Sequence, residues 1–148
     1  MVHCVIYIVD ICSLSTMDKT LKEKIIRLQQ YEIDSDIQRV LILTKCDELC
    51  DSVKNDVTNI YKSKKVCDEA ENARHIFGIA RGNTHPVVNY GERGSEINPA
   101  MNVPVLLALK QCVDFSNEYI EQQMKYGSPM KYDAPMENDA PMKNDVPM

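Results

Sequence analysis

Two unbroken apolar runs rich in β-branched residues, "VHCVIYIV" at 2–9 and "RVLILT" at 39–44, constrain this chain more than any other feature. Strands without polar alternation are those covered on both faces, the habit of parallel sheets. Parallel neighbours cannot be joined by a hairpin and need a crossover of a dozen or more residues, usually helical. The stretch between the two runs supplies one. Ser15 with Asp18 three residues later is a capping-box arrangement, and Met17, Leu21, Ile25 and Leu28 follow at helical spacing. A helix is expected over 16–30, between strands near 2–10 and 39–44.

The alternation continues. "DSVKNDVTNIY" puts Val53, Val57, Ile60 and Tyr61 on one helical face, which predicts a helix near 52–62. A further helix near 65–77 stops at Gly78, a usual helix-ending residue. "HPVVNY" predicts a third, shorter strand near 85–90, with Pro86 tolerated at its start. Asn102 and Pro104 open a last helix over 103–125, whose face is Val105, Leu109, Cys112, Val113, Ser116 and Ile120. Three strand–helix units predict the α/β class: a three-layer α/β/α domain over 1–125 with a parallel sheet and right-handed crossovers. Ligands of such open sheets sit at the carboxyl ends of strands.

Residues 126–148 differ in kind. From Pro129 the chain repeats "PMKYDA PMENDA PMKNDV PM", with Pro-Met opening each six-residue copy. Recurrent proline interrupts helix and sheet ladders, and the polar filler buries little surface, so a disordered low-complexity tail is expected.

Several function classes are excluded by composition. A net charge of -5 and a pI near 5.2 do not suit phosphate-backbone binding, so no nucleic-acid partner is expected; the basic knot "KSKK" at 62–65 fits a solvated helix junction. No apolar run approaches the roughly 20 residues of a membrane span, and no membrane partner is expected. The first run lacks a basic flank and is broken by Asp10, so it is expected to be a strand, not a signal peptide. Six cysteines without a C-x-x-C pair fit buried, reduced thiols in a cytoplasmic protein. His3, His75 and His85 lie far apart, Cys46 and Cys50 are only two potential zinc ligands, and Asp47, Glu48 and Asp51 fit a solvated helix N-terminus. Ser13 and Ser15 lack a G-x-S-x-G setting. No catalytic or metal-binding set is expected.

The polar tetrapeptide Thr44-Lys45-Cys46-Asp47, directly after a buried strand, resembles the N/T-K-x-D base-specificity motif of P-loop GTPases. The resemblance implies a guanine site. A carboxylate at Asp47 offers two acceptor oxygens to the paired N–H donors on one edge of guanine. The stem of Lys45 would lie along the purine face with its ammonium in water. Strand alternation would set Lys45 and Asp47 on one side and Cys46 on the other, while Thr44 ties the loop to its neighbours. Asn89 and Tyr90, at the end of the next strand, occupy the place of a second base contact without matching its usual S-A-K pattern.

Linked segments "HCVIYIVDICS", "ILTKCDELC", "VVNYGER" and "VLLALKQCVDFSNEYIE" resemble, in this order and over about residues 2–123, the C-terminal half of interferon-induced protein 44-like proteins. The resemblance implies a cytosolic GTPase-type domain linked to innate antiviral responses. Neither G-x-x-x-x-G-K-[ST] nor D-x-x-G occurs in the chain. Both precede Val2 in the family's order, so the front half of the domain is expected outside this chain. Two charge-assisted hydrogen bonds at Asp47 contribute roughly 3–6 kcal/mol. Association itself costs about 4 kcal/mol or more. GTP or GDP is therefore expected to bind weakly, Mg only with ligands from the missing half, and hydrolysis not at all. The first strand would keep an unpaired outer edge, open to an unidentified protein partner. The alternative is a non-catalytic interaction module with a vestigial nucleotide site.

Overall fold

A computed structural model describes residues 2–34, 36–89 and 98–126; the Pro-Met repeat and Tyr90 lie outside them. Strand β1 (Cys4–Asp10) pairs in parallel with β2 (Gln38–Thr44), from Cys4 opposite Gln38 to Asp10 opposite Thr44. Strand β3 (Thr84–Pro86) joins the other side of β2, giving the order β1-β2-β3. The fold is mixed helix and sheet on a three-stranded parallel sheet. The third strand is shorter than the expected 85–90. Val87 still donates to the Leu43 carbonyl at 2.8 Å and accepts from Cys46 N at 3.4 Å, so the chain follows β2 one residue beyond the ladder.

Between β1 and β2 lie a 3-10 turn (Ile11–Thr16) and helix α1 (Lys19–Asp34). Ser15 belongs to the turn, and Asp18 caps the helix by accepting from Leu21 N at 2.7 Å. The expected apolar face of α1 is overturned too. Ile25 is buried and Met17 packs on the core, but Leu21 and Leu28 are exposed. Helix α1 meets the body through polar residues instead: Gln29 donates to Ile76 O at 2.9 Å and Glu32 accepts from the Tyr7 hydroxyl at 2.7 Å.

The helix expected at 52–62 is broken. Short helices α2 (Cys46–Leu49) and α3 (Asp51–Asn55) are followed by a 3-10 turn at Val57–Asn59. The cause is Asp56, whose carboxylate accepts from Thr58 N at 2.9 Å and from the Thr58 hydroxyl at 2.7 Å. An aspartate that bonds its own backbone two residues on competes with the helix ladder. Val53 and Ile60 are buried all the same, while Tyr61 turns outward. Helix α4 (Lys64–Phe77) is capped by Ser63, which accepts from Val66 N, and ends at left-handed Gly78, whose N–H donates to Arg74 O.

Helix α5 (Pro99–Tyr126) begins earlier than expected, with Asn98 as its cap and Pro99 in the first turn, where a missing N–H is harmless. Pro104 is internal and buried. Helix α5 packs through Pro104, Ala108 and Cys112; Val105, Leu109, Val113 and Ile120 of the expected face are exposed. The odd-numbered side chains Tyr7 and Val9 of β1 pack on the core, with the Tyr7 ring tilted against Phe77 of α4 at 5.1 Å. The even-numbered ones turn toward α5, where Cys4 lies against Cys112 and burial pushes its thiol up to about 11. Ile6 and Ile8 stand beyond that contact and are 42% and 68% exposed, so β1 is not covered on both faces. The main core gathers Leu41, Leu43, Val53, Val66, Ala73 and Phe77.

Candidate functional site

Of the expected guanine residues, Thr44, Lys45 and Asp47 lie at the carboxyl end of β2 and Asn89 follows β3. Thr44 ends β2, and its hydroxyl donates to the Val9 carbonyl at 3.3 Å, tying the loop to β1. The chain then departs from strand geometry. Lys45 is left-handed at φ 61, ψ 34, and Cys46 starts α2. Strand alternation therefore does not apply to Lys45 and Asp47. What separates them from Cys46 is the tight turn: Cys46 drops into the core, Lys45 is exposed, and Asp47 is partly exposed in the first turn of α2.

Lys45 Nζ sits 2.8 Å from Asp10 Oδ2. Asp10, the last residue of β1, also caps the following 3-10 turn by accepting from Cys12 N at 2.9 Å. The hydrogen bond with Asp10 raises the Lys45 pKa, and the same bond lowers that of Asp10. Both side chains keep solvent contact, so the pair is a weak restraint on the lysine stem. The Asp47 carboxylate makes no hydrogen bond or ion pair among the described residues. Asn89 is exposed after buried Val87 and Val88, at the end of the β3 segment. Thr44, Lys45, Asp47 and Asn89 thus share the crest expected to hold ligands. Asp10 is the residue sequence reasoning undervalued. Its signal was its position at the end of the first apolar run.

The thiols split by environment: Cys46 and Cys112 are buried, while Cys4 and Cys50 are half-buried. Cys12 and Cys67 are exposed. Cys46 donates to Leu43 O at 3.4 Å and burial pushes its thiol up to about 12. Cys50 turns away toward the Ser52 and Ser63 hydroxyls at 3.1 and 3.2 Å, whose hydrogen bonds bring it down to about 7. Cys46 and Cys50 therefore do not converge as ligands.

A recess of about 320 Å³ lies at the other end of β2, between Arg39, Glu32, Asp36, Gly78 and Asn83. Arg39 Nη1 stands 3.7 Å from Glu32 Oε2, and both atoms are sealed from solvent with no hydrogen bond among the described residues. A hollow whose charged atoms face each other and not the opening is a structural feature. The base-reading candidates remain at the crest.

Two curated proteins are similar to this chain. Interferon-induced protein 44 of Mus musculus is 30% identical over 120 residues, which cover 81% of this chain and 28% of that protein. Interferon-induced protein 44-like of Homo sapiens is 25% identical over 120 residues, covering 81% and 26%. They establish an interferon-induced protein 44-like relationship, and the chain spans just over a quarter of the length of these relatives. No family model and no solved structure matches.

Proposed function

We propose that this relative of the interferon-induced protein 44 proteins is the base-reading part of a guanine-nucleotide-binding domain, working in an interferon-induced, innate immune setting in the cytoplasm. On this reading its parallel sheet belongs to a three-layer α/β/α arrangement of the P-loop GTPase kind. The observation that carries the reading is Asp47: a carboxylate without a partner among the described residues, at the carboxyl end of a buried parallel strand, two residues after a lysine held by Asp10. Asp47 would accept the paired N–H groups of guanine and Lys45 would lie over the ring, with Thr44 fixing the loop to β1. Asn89, and by sequence Tyr90, would flank the base.

The residues present fit a guanine base and do not fit its phosphates or a Mg ion, for which this chain carries neither motif. Without a phosphate cradle, phosphoryl transfer has no positioned groups, so no hydrolysis is assigned to this chain. Affinity for GTP or GDP is expected to be weaker than millimolar, where about 4.1 kcal/mol would be needed. Competition of GDP and ADP at high concentration against a fluorescent guanine nucleotide tests the reading. A preference for GDP that Asp47→Asn abolishes supports it. Equal, Asp47-independent competition overturns it and favours the non-catalytic interaction module, which the uncovered Ile6 and Ile8 support independently.

A further inference from the structure

Helix α5 is pinned to the sheet on two sides of one cysteine. Toward β3, Gln111 Oε1 meets His85 Nε2, and Gln111 Nε2 donates to Asn83 Oδ1 at 2.9 Å. Asn83 in turn donates to the Arg39 carbonyl at 3.2 Å, so this tie reaches β2. Toward β1, the Tyr119 ring lies 5.4 Å from that of His3. Cys112 follows Gln111 directly and lies about two helical turns before Tyr119. The helix is therefore fixed on both sides of it.

Cys112 belongs to the buried stripe of Pro104, Ala108 and Cys112, spaced by four along the face that α5 lays on the sheet. Cys4 opens β1 on its even-numbered face, which turns toward α5. The two side chains thus enter one gap from opposite walls, the convergence that a disulfide needs. They also feel each other. Burial raises both thiols, and the hydrogen bond between them raises Cys4 further while working against the rise at Cys112. The other four thiols make their hydrogen bonds elsewhere: Cys12 to Lys45 O, Cys46 to Leu43 O, Cys50 with Ser52 and Ser63, and Cys67 from Arg81.

We propose that Cys4 and Cys112 form an oxidation site, at which hydrogen peroxide converts the two thiols to a disulfide that fastens α5 to β1. One thiol attacks the peroxide and breaks its O–O bond, giving a sulfenic acid and water. The second thiol displaces the hydroxyl as another water while the S–S bond forms. Two protons and two electrons leave the sulfurs, and the peroxide is reduced to two waters. A small thiol such as glutathione reverses the step and becomes a disulfide itself. The dithiol is the resting state of a reducing compartment, where disulfides are transient and redox-sensing. The two residues are 108 positions apart, so the bond closes a long loop and constrains the unfolded chain strongly. The inference does not rest on guanine binding.

Peptide mapping of the full chain after dilute hydrogen peroxide tests it. Cys50, which its hydroxyl partners bring down to about 7, should oxidise first and report that the oxidant has acted. A peptide joining Cys4 to Cys112 is expected next, with cleavage at Asp10 separating Cys4 from Cys12. Because burial raises both thiols, the reacting thiolate is scarce, and linking should quicken about tenfold per pH unit between pH 7 and 9. The linked protein should melt roughly 10 °C above the reduced one, and a thiol reductant should remove the difference. Cys4→Ala should lose the link and the rise together, while Cys12→Ser and Cys67→Ser keep both. Oxidised Cys50 with Cys4 and Cys112 still free in the unmutated chain overturns the proposal. So does a link that forms as fast in urea, since the fold would not be what brings the thiols together, and so does a link that lowers the melting temperature.

Discussion

Strand β2 carries a cation at each end, and the two ends have opposite fates. At its amino end half-buried Arg39 has its guanidinium 3.7 Å from buried Glu32, a donor bond from Nη2 to Gly78 O at 3.1 Å, and the Tyr7 hydroxyl on the other Glu32 oxygen. At its carboxyl end Lys45 pairs with Asp10 in contact with water. Each end also has a left-handed residue beside it, Gly78 at φ 57 and Lys45 at φ 61. Near Arg39 the left-handed positions are Gly78, for which that conformation is free, and Asp36 at φ 51, a residue type that adopts it more readily than lysine. At the crest the chain keeps a side chain that disfavours it, and such strain collects where a side chain is needed for something other than stability. The first end holds the fold together, and the second holds a lysine in place.

Breaking each end separately should expose this difference, most of all at Arg39. Arg39→Ala leaves a buried carboxylate without its cation and should cost about 3–5 kcal/mol. It would appear as a large drop in the urea midpoint with little change in slope; Lys45→Ala should barely move that midpoint. Gly78→Ala comes next. A Cβ there forces the left-handed region on alanine and meets Gln29 Oε1 at 3.2 Å, so a loss of about 1–2 kcal/mol is expected by the same measurement.

A smaller effect is expected in acid. The hydrogen bond from Lys45 holds the Asp10 pKa below its ordinary 3.8, so its contribution is complete above that value and lost as pH falls through the lowered one. Asp10→Asn should flatten that part of the stability curve below pH 3.8, a comparison thermal melts at several pH values would make. The smallest change in stability is expected for Lys45→Gly. Relief of the left-handed strain offsets loss of the ion pair, so the melting temperature should hold or rise while any preference for GDP over ADP disappears. A melting temperature that fell as far as that of Arg39→Ala would make the crest as structural as the opposite end.

Much of the fold was legible because its signals are local. The apolar run before Asp10 and the run ending at Thr44 are strands because their β-branched side chains suit a pleated, covered surface. Gly78 ends α4 because the left-handed position is cheap only for glycine. The broken segment at Asp56 was misjudged for an equally local reason, a carboxylate whose short bonds to Thr58 outweigh the spacing of Val53, Val57 and Ile60. At the crest, the order of Thr44, Lys45, Cys46 and Asp47 was plain in the sequence, but the turn at Lys45 was not.

From sequence alone came the kinds of element, their order, the parallel sheet and the T-K-C-D crest, each set by the near-neighbour spacing of side chains. Only the tertiary structure decided which side of each helix is covered. Helical spacing shows that Val105, Leu109 and Cys112 share a face with one another, but burial depends on where α5 lies over the sheet, and it lies on Pro104, Ala108 and Cys112. The pairing of Lys45 with Asp10, and of Arg39 with Glu32, likewise waited for the fold. Those partners are 35 and 7 residues apart in the chain, and parallel register with helix docking brings them within reach.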